Sequence, residues 1–296
     1  MNRENAARLS VIGSMLIYGT IGVFVRYIPM PSAVIAMARG LIGAPFLLLV
    51  LFIKRSRPDM AGIKRNLSLL LVLGALLGTN WVLLFESYRY TSVAAATLCY
   101  YLAPILLVAA SPFLFKERLS ARKVLCVLAA LVGMVLVSGV LGGGAPGSEP
   151  VKGMALAVGA AAMYACIVVL NKKLSGISAY DRTISQLAVS SVVMLVYNLF
   201  SGSLSALSLD GLGWIMLLVV GIVHTGLAYF LYFGSMEALS AQTLAILSYI
   251  DPVTAVLLSA LLLKEPLGVG GVIGAVLILG SAVISELPLK NKEEQK

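Results

Sequence analysis

Charged side chains are scarce in this chain. Of its 296 residues, 12% are Asp, Glu, Lys or Arg, whereas 60% are hydrophobic and the mean hydropathy is +0.99. A soluble domain carries about 25% charged residues. The composition therefore excludes an ordinary soluble protein and favours one that lies in a membrane.

Cysteine and histidine are scarce as well. Cys99, Cys126 and Cys166 all lie in apolar runs, and their spacing matches neither a disulfide framework nor a metal site. We interpret them as small apolar residues. His224 is the only histidine, so we expect no metal centre.

The motifs of an intramembrane enzyme or of an ATP-driven pump are missing too. The sequence contains no His-Glu-x-x-His, no Gly-x-x-x-x-Gly-Lys-Ser/Thr and no Gly-x-Ser-x-Gly. The glycine-rich stretch 142–147 lacks the lysine of a phosphate loop. No filter-like segment or ring-forming charge motif indicates an ion channel. We therefore expect neither catalysis nor a cofactor.

Long apolar runs take the place of these features. A helix needs about 20 apolar residues to cross the hydrocarbon core of a membrane, and ten runs of that kind predict an all-α membrane protein. The first run is longer than the apolar part of a signal peptide, so no cleaved signal is expected. The predicted spans are 9–28, 32–53, 67–88, 92–115, 120–140, 153–171, 183–202, 211–235, 240–263 and 267–285.

Lys and Arg are distributed unevenly between these spans. With the N-terminus inside, the inner segments carry seventeen of them and the outer segments four. Because positive charge favours the cytoplasmic side, we predict a multi-pass protein of the plasma (bacterial inner) membrane with both termini cytoplasmic. A basic face against anionic lipid explains the net charge of +9, and nucleic acid is not an expected partner.

The two halves of the chain resemble each other. With an offset of 148 residues, 78–139 match 226–287 at sixteen positions without a gap. Apolar matches carry little weight, but two kinds of match are hard to explain by composition. They are the Tyr-x-x-Pro pairs, Tyr101/Tyr249 with Pro104/Pro252, and the Lys-Glu pairs, Lys116-Glu117 and Lys264-Glu265.

An odd number of spans in each half makes the second half enter the membrane from the opposite side. We therefore predict two inverted five-helix repeats, residues 1–140 and 153–296. The Gly/Pro-rich segment 141–152 is the predicted linker. Small residues at four-residue spacing, such as Gly270 and Gly274, predict close helix packing, as do Ala129 and Gly133.

The segments Tyr-Leu-Ala-Pro at 101–104 and Tyr-Ile-Asp-Pro at 249–252, each followed by Lys-Glu, resemble the EamA-type repeat of the drug/metabolite transporter superfamily. The resemblance covers essentially the whole chain. It implies two inverted five-helix repeats around a central cavity, and movement of a small metabolite, often export of amino acids or related compounds.

Asp251 is the strongest single candidate for function. It lies mid-span, and its counterpart in the first half is Ala103. Because an ionised carboxylate is disfavoured in a membrane unless it is paired, this position suits proton binding. The alternative is a carboxylate that satisfies backbone groups freed by Pro252.

Two prolines are candidate helix-breaking residues. Pro104 and Pro252 lack an N–H and so free the carbonyls of Tyr100 and Ser248, four residues earlier. In transporters such interruptions place backbone groups next to substrates or ions. The alternative is a kink that serves packing alone.

Arg39 lies well within the second span and stays charged in any setting. A cavity-facing arginine would attract a substrate carboxylate or pair with an internal acid. Glu86 is one possible partner, although it is better explained as an interfacial residue. The Lys-Glu pairs are interpreted as interfacial anchors, with a gate as the alternative.

The remaining candidates for substrate contact are aromatic or polar. In the repeat alignment Trp81 falls opposite Tyr229, so each half offers an aromatic wall, unless these rings belong to the interfacial belts. His224 suits a proton relay, but a hydrogen-bonded packing role is favoured. The other candidates are Asn80, Tyr101 and Tyr249.

The sequence thus predicts a secondary transporter that moves a small organic metabolite across the plasma membrane by alternating access. An amino acid, an amine or a related compound is expected, and export is favoured. A channel or a non-transporting scaffold is the alternative, and an intramembrane enzyme is least favoured.

Overall fold

The computed structural model describes residues 3–115, 121–137, 148–204, 211–235, 238–239, 241–265 and 267–286. The predicted Lys116-Glu117 pair, the glycine-rich part of the linker and the C-terminal tail lie outside these ranges. The regular structure within them is helical. The helices are α1 (Arg3–Arg26), α2 (Ser32–Ile53), α3 (Met60–Arg65), α4 (Leu67–Tyr90), α5 (Val93–Tyr100), α6 (Ala103–Phe115), α7 (Ala121–Val137), α8 (Pro150–Asn171), α9 (Ala179–Phe200), α10 (Gly211–Ser235), α11 (Ala241–Ser248), α12 (Ile250–Leu262) and α13 (Val269–Glu286).

Several of these helices are suited to a membrane. In the described part of the chain six are long and apolar enough to cross one, namely α1, α2, α4, α8, α9 and α10. The other four predicted spans contain shorter apolar helices, which are α5 with α6, α7, α11 with α12, and α13. The chain is therefore a multi-pass α-helical membrane protein.

Local sequence explains where several helices begin. The Ser92 hydroxyl accepts a hydrogen bond from the Ala95 N–H at 3.1 Å and caps α5. The Ser178 hydroxyl accepts from the Asp181 N–H at 3.1 Å and caps α9. Each serine satisfies a backbone donor that has no partner within its helix. Pro150 is the first residue of α8, where a missing N–H costs nothing.

The fourth and ninth predicted spans are both interrupted. Residues 101–102 separate α5 from α6, and Tyr249 separates α11 from α12. Tyr101 and Tyr249 have the 148-residue offset of the sequence match. Pro104 and Pro252 follow within the first turn of the next helix, where proline is tolerated.

The helices pack across the two halves of the chain. α2 packs on α9 and α10, α4 packs on α8 and α9, and α1 packs on α10 and α12. α7 and α13 cross at Gly133 and Gly274, where a Cβ on Gly133 would lie 2.7 Å from the Gly274 carbonyl oxygen. This contact confirms the close approach predicted from the small residues.

The middle of α10 is a π-helix, from Val220 to Leu227. Such wide turns are rare and occur often at functional sites. The segment lies directly against α2, since a Cβ on Gly43 would lie 2.5 Å from Thr225 Cγ2 and a Cβ on Gly226 would lie 2.6 Å from Phe46 Cδ1. The glycines therefore make room for Thr225 and Phe46 where α10 packs on α2.

Candidate functional site

Arg39 of α2 is buried in the interior, with 4% of its surface exposed. Its guanidinium carbon lies 3.9 Å from the centroid of the Trp81 ring and 5.4 Å from that of Phe85. Its Nε–H donates to Thr225 Oγ1 at 3.0 Å. Two aromatic faces and one hydroxyl thus hold a permanent charge in an apolar setting.

Arg39 has no acidic partner in the described part of the chain. No carboxylate oxygen there lies within 4.0 Å of its nitrogens. Glu86, the possible partner, instead accepts from the Ser32 hydroxyl at 2.7 Å and lies 3.5 Å from Arg89 Nε. An uncompensated buried charge is costly, and a guanidinium in this setting is chemically suited to an anionic group.

The aromatic candidates lie around this charge. Trp81 is 5% exposed, and Arg39 covers one face of its indole. Tyr229 lies within electrostatic range of Arg39 and meets the ring of Tyr18 edge-on at 5.8 Å. Tyr229 also meets Phe233 at 5.5 Å. The two predicted walls therefore lie near the same guanidinium.

Asp251 binds Tyr101 across the two interrupted spans. The Tyr101 hydroxyl lies 2.6 Å from Asp251 Oδ2 and 3.3 Å from the Ser248 carbonyl oxygen. That carbonyl is the one that Pro252 deprives of its helical partner. Carboxyl, phenol and carbonyl thus form one polar group at the interruption.

Further tyrosines surround this group. The Tyr101 ring lies 6.2 Å from those of Tyr100 and Tyr249. The Tyr100 hydroxyl donates to Asn80 Oδ1 at 3.4 Å, and the buried Asn80 donates through Nδ2 to the Ala160 carbonyl at 2.6 Å. Asn80 therefore anchors Tyr100 to α8.

The Arg39 and Asp251 regions are adjacent. The phenols of Tyr18 and Tyr88 each lie within electrostatic range of both charged side chains. One aromatic interior therefore contains a basic group from the first half of the chain and an acidic group from the second half.

His224 is 1% exposed and has partners on both ring nitrogens. Nε2 lies 2.7 Å from Thr20 Oγ1, and Nδ1 lies 3.4 Å from the Val219 carbonyl oxygen. Its ring packs on Phe24 at 4.9 Å. These surroundings are those of a hydrogen-bonded packing residue beside the site.

A polar cluster ties three helices together at one end of the molecule. Glu265 forms an ion pair with Arg26 of α1. Its Oε2 accepts from the Val93 N–H at 3.1 Å and from the Ser259 hydroxyl at 2.9 Å. Glu265, for which the sequence predicted an interfacial anchor or a gate, thus joins α1, α5 and α12.

A cavity of about 570 Å³ lies beside this cluster. It is lined by Arg26 at the end of α1, by Ser32 and Ile35 of α2, and by Phe85 and Tyr88 of α4. Phe85 also lies under the Arg39 guanidinium. Phe85 therefore lies against both the cavity and the Arg39 guanidinium.

Sequence reasoning missed Thr225 and Phe85, which contact Arg39, and Thr20, which contacts His224. Neutral polar and aromatic residues are common in apolar helices, and nothing distinguished these three from the rest. A π-helical turn changes which residues face a neighbour, so helical periodicity could not place Thr225.

Comparison with known proteins gives a consistent result. A sequence model described as the EamA-like transporter family matches residues 6–139 and 151–286. The uncharacterized transporter YxxF of Bacillus subtilis is 31% identical over 256 residues, which cover 86% of this chain and 81% of that protein. The aromatic amino acid exporter YddG of Ancylobacter novellus is 28% identical over 219 residues, with 73% and 74% covered.

A solved crystal structure shares the fold, with a TM-score of 0.63 at 21% identity over 94% of this chain and 96% of that one. The family matches cover most of the chain, and their names denote transporters rather than enzymes. The chain belongs to the EamA-like transporter family.

Proposed function

We propose that this protein is a secondary transporter of the plasma membrane that exports a small organic metabolite by alternating access. Among the expected substrates, which are amino acids, amines and related compounds, an amino acid fits best. The observation that carries this proposal is Arg39, a buried guanidinium with no carboxylate partner among the described residues.

Arg39 is suited to the carboxylate of the substrate. Its Nε is engaged by Thr225 and one face by Trp81. The two terminal nitrogens form a planar fork that matches a carboxylate in geometry and charge. Trp81 would then orient Arg39, and Tyr229 would contact the rest of the substrate.

Asp251 and Tyr101 are suited to hold a proton. When Asp251 is ionised, the Tyr101 hydroxyl donates to it. When Asp251 is protonated, its O–H donates to Tyr101, whose own proton then turns to the Ser248 carbonyl. The distances of 2.6 and 3.3 Å allow both arrangements, so either charge state keeps its hydrogen bonds. A substrate amino group could also bind the ionised form.

Alternating access is supported by the similarity of the halves. The interruptions at Tyr101 and Tyr249 have the same offset as the sequence match, and the family matches fall on residues 6–139 and 151–286. α1 and α8 are the first spans of the two halves, and α4 and α10 are the third spans. Exchanging the halves therefore turns the packing of α4 on α8 into the packing of α10 on α1, and both are observed. These relations favour ten spans in two inverted repeats that rock around the interior site.

The Arg26–Glu265 cluster would close one end of this path. With cytoplasmic termini, the end of α1 faces the outside, so export requires that the cluster separate. The cavity beside Phe85 would then receive the outgoing substrate. A rocking transporter needs such a contact to break, whereas a permanently open channel does not.

The substrate class is supported by the aromatic interior. Tyr18, Tyr100, Tyr101 and Tyr229 surround the two charged groups, and YddG of Ancylobacter novellus is named as an aromatic amino acid exporter. Rings of this kind suit flat apolar side chains. Aromatic amino acids are therefore the first compounds to test.

The test is counterflow into proteoliposomes that are preloaded with a mixed metabolite pool, with the exchanged species identified by mass spectrometry. We expect exchange of one class of amino acids. Arg39→Gln should lower the exchange rate at least about tenfold, because an ion-paired carboxylate contributes more than about 1.4 kcal/mol. Arg8→Gln, at an exposed surface pair, is the matched control. Folded protein that exchanges no metabolite would contradict the proposal and favour a channel or scaffold.

A further inference from the structure

Thr225 has a well-defined hydrogen-bond geometry in the π-helical segment of α10. Its Oγ1–H donates to the Val220 carbonyl oxygen, five residues earlier, at 3.1 Å. Since a threonine hydroxyl has one hydrogen, the oxygen then presents lone pairs to its other neighbour. That neighbour is Arg39 Nε, at 3.0 Å.

The wide turn makes this arrangement possible. A hydroxyl that reaches the carbonyl five residues earlier follows the π-helical ladder rather than the α-helical one. Thr225 is fully buried, and its methyl group packs where Gly43 of α2 leaves room. Gly43 lies one turn beyond Arg39 on the same helix, so Thr225 is placed beside the Arg39 side chain.

The contact also determines which edge of the guanidinium is available. A carboxylate can bind arginine through Nε and one terminal nitrogen, or through both terminal nitrogens. Thr225 occupies Nε, and Trp81 lies 3.9 Å from the guanidinium carbon on one face. The terminal edge is left for a ligand.

We infer that Thr225 is a positioning residue. It holds Arg39 flat on Trp81 and restricts carboxylate binding to the terminal edge of the guanidinium. The inference rests on the proposed function for the ligand, but the orientation of Arg39 on Trp81 is a property of the protein alone. The two parts can therefore be tested separately.

Trp81 offers a direct probe of that orientation. The chain has two tryptophans, and Trp214 is 48% exposed and away from the site. In a Trp214→Phe background, emission comes from Trp81 alone and reports on the stacked guanidinium. This protein is then compared with its Thr225→Val and Thr225→Ser variants, which respectively remove and keep the hydroxyl at similar size.

Without ligand, we expect Thr225→Val to change the Trp81 emission spectrum and Thr225→Ser to leave it close to that of the parent. Thr183→Val is the matched control, because Thr183 is a buried threonine that bonds a carbonyl within α9. An unchanged spectrum in folded Thr225→Val would overturn the positioning role, whether or not any substrate is known.

With ligand, the probes are L-phenylalanine and L-phenylalaninamide, which lacks the carboxylate. We expect Thr225→Val to raise the Kd of L-phenylalanine about tenfold, as for loss of one hydrogen bond to a charged group. Its effect on the amide should be less than about twofold. Equal weakening of both probes would contradict the edge assignment. If neither probe alters the parent's emission, the amino acid proposal fails while the ligand-free comparison still stands.

Discussion

At the scale of single residues, Asp251 makes the most direct prediction. Replacement by Asn keeps the size and the Tyr101 contact but removes the site for a proton. In proteoliposomes we expect Asp251→Asn to lower the rate of transport driven by a pH gradient at least about tenfold. Exchange of substrate for substrate at constant pH should be reduced less, because no net proton movement is required.

Tyr101→Phe is the companion variant. It removes the hydroxyl that lies 2.6 Å from Asp251 and keeps the carboxylate, so the transport rate should still depend on pH. If Asp251→Asn leaves both the rate and its pH dependence unchanged, Asp251 does not couple transport to protons. Its role would then be to satisfy the backbone near Pro252.

The sequence identified Arg39 and Asp251 because a charge within an apolar span is conspicuous. Their neighbours were not identifiable in the same way. Thr225 contacts Arg39 only because α10 contains a π-helical turn. Phe85 and Thr20 are of residue types that recur elsewhere in the spans. Charges within apolar spans are therefore visible in such a sequence, whereas the groups that orient them depend on helix phase and packing.

At the scale of helices, the cluster around Glu265 is the contact most open to measurement. Its carboxylate accepts three hydrogen bonds, from α1, from the first residue of α5 and from α12, and is 17% exposed. Removing a largely buried charged acceptor costs about 1–3 kcal/mol. We expect Glu265→Gln to lower the Tm in detergent by several degrees.

The matched control for this variant is Glu149→Gln. Glu149 and Lys152 form an exposed pair at 3.4 Å with side chains 57% and 48% exposed, and pairs of that kind contribute about 0–1 kcal/mol. A loss of Tm in Glu265→Gln no greater than in this control would show that the cluster does not hold the three helices together.

Helix positions themselves were largely predictable. Apolar runs and charged boundaries predicted the bounds of α2 at 32–53 and of α10 at 211–235. The packing partners of each helix were not predictable, because an apolar helix surface can pack on any other apolar surface and the sequence does not specify which. Gly133 and Gly274 are an exception, since small residues at close spacing indicate where backbones meet.

At the scale of the whole molecule, the number of spans predicts the inversion of the repeats, and the distribution of Lys and Arg predicts their orientation. Two halves with odd numbers of spans are inverted, and with the N-terminus inside, the junction between them faces outward. The charge distribution of seventeen against four supports this. Cysteine labelling can test it in intact cells, starting from a chain in which Cys99, Cys126 and Cys166 are replaced.

Single cysteines are introduced at Gly143, in the predicted linker, and at Ser56, which is exposed between α2 and α3. We expect a membrane-impermeant maleimide to label Gly143→Cys in intact cells and Ser56→Cys only after permeabilisation. Labelling of both Gly143→Cys and Ser56→Cys from the cytoplasm alone would mean an even number of crossings between these two positions. The repeats would then be parallel, and the Arg26–Glu265 end would no longer be fixed as the outward one.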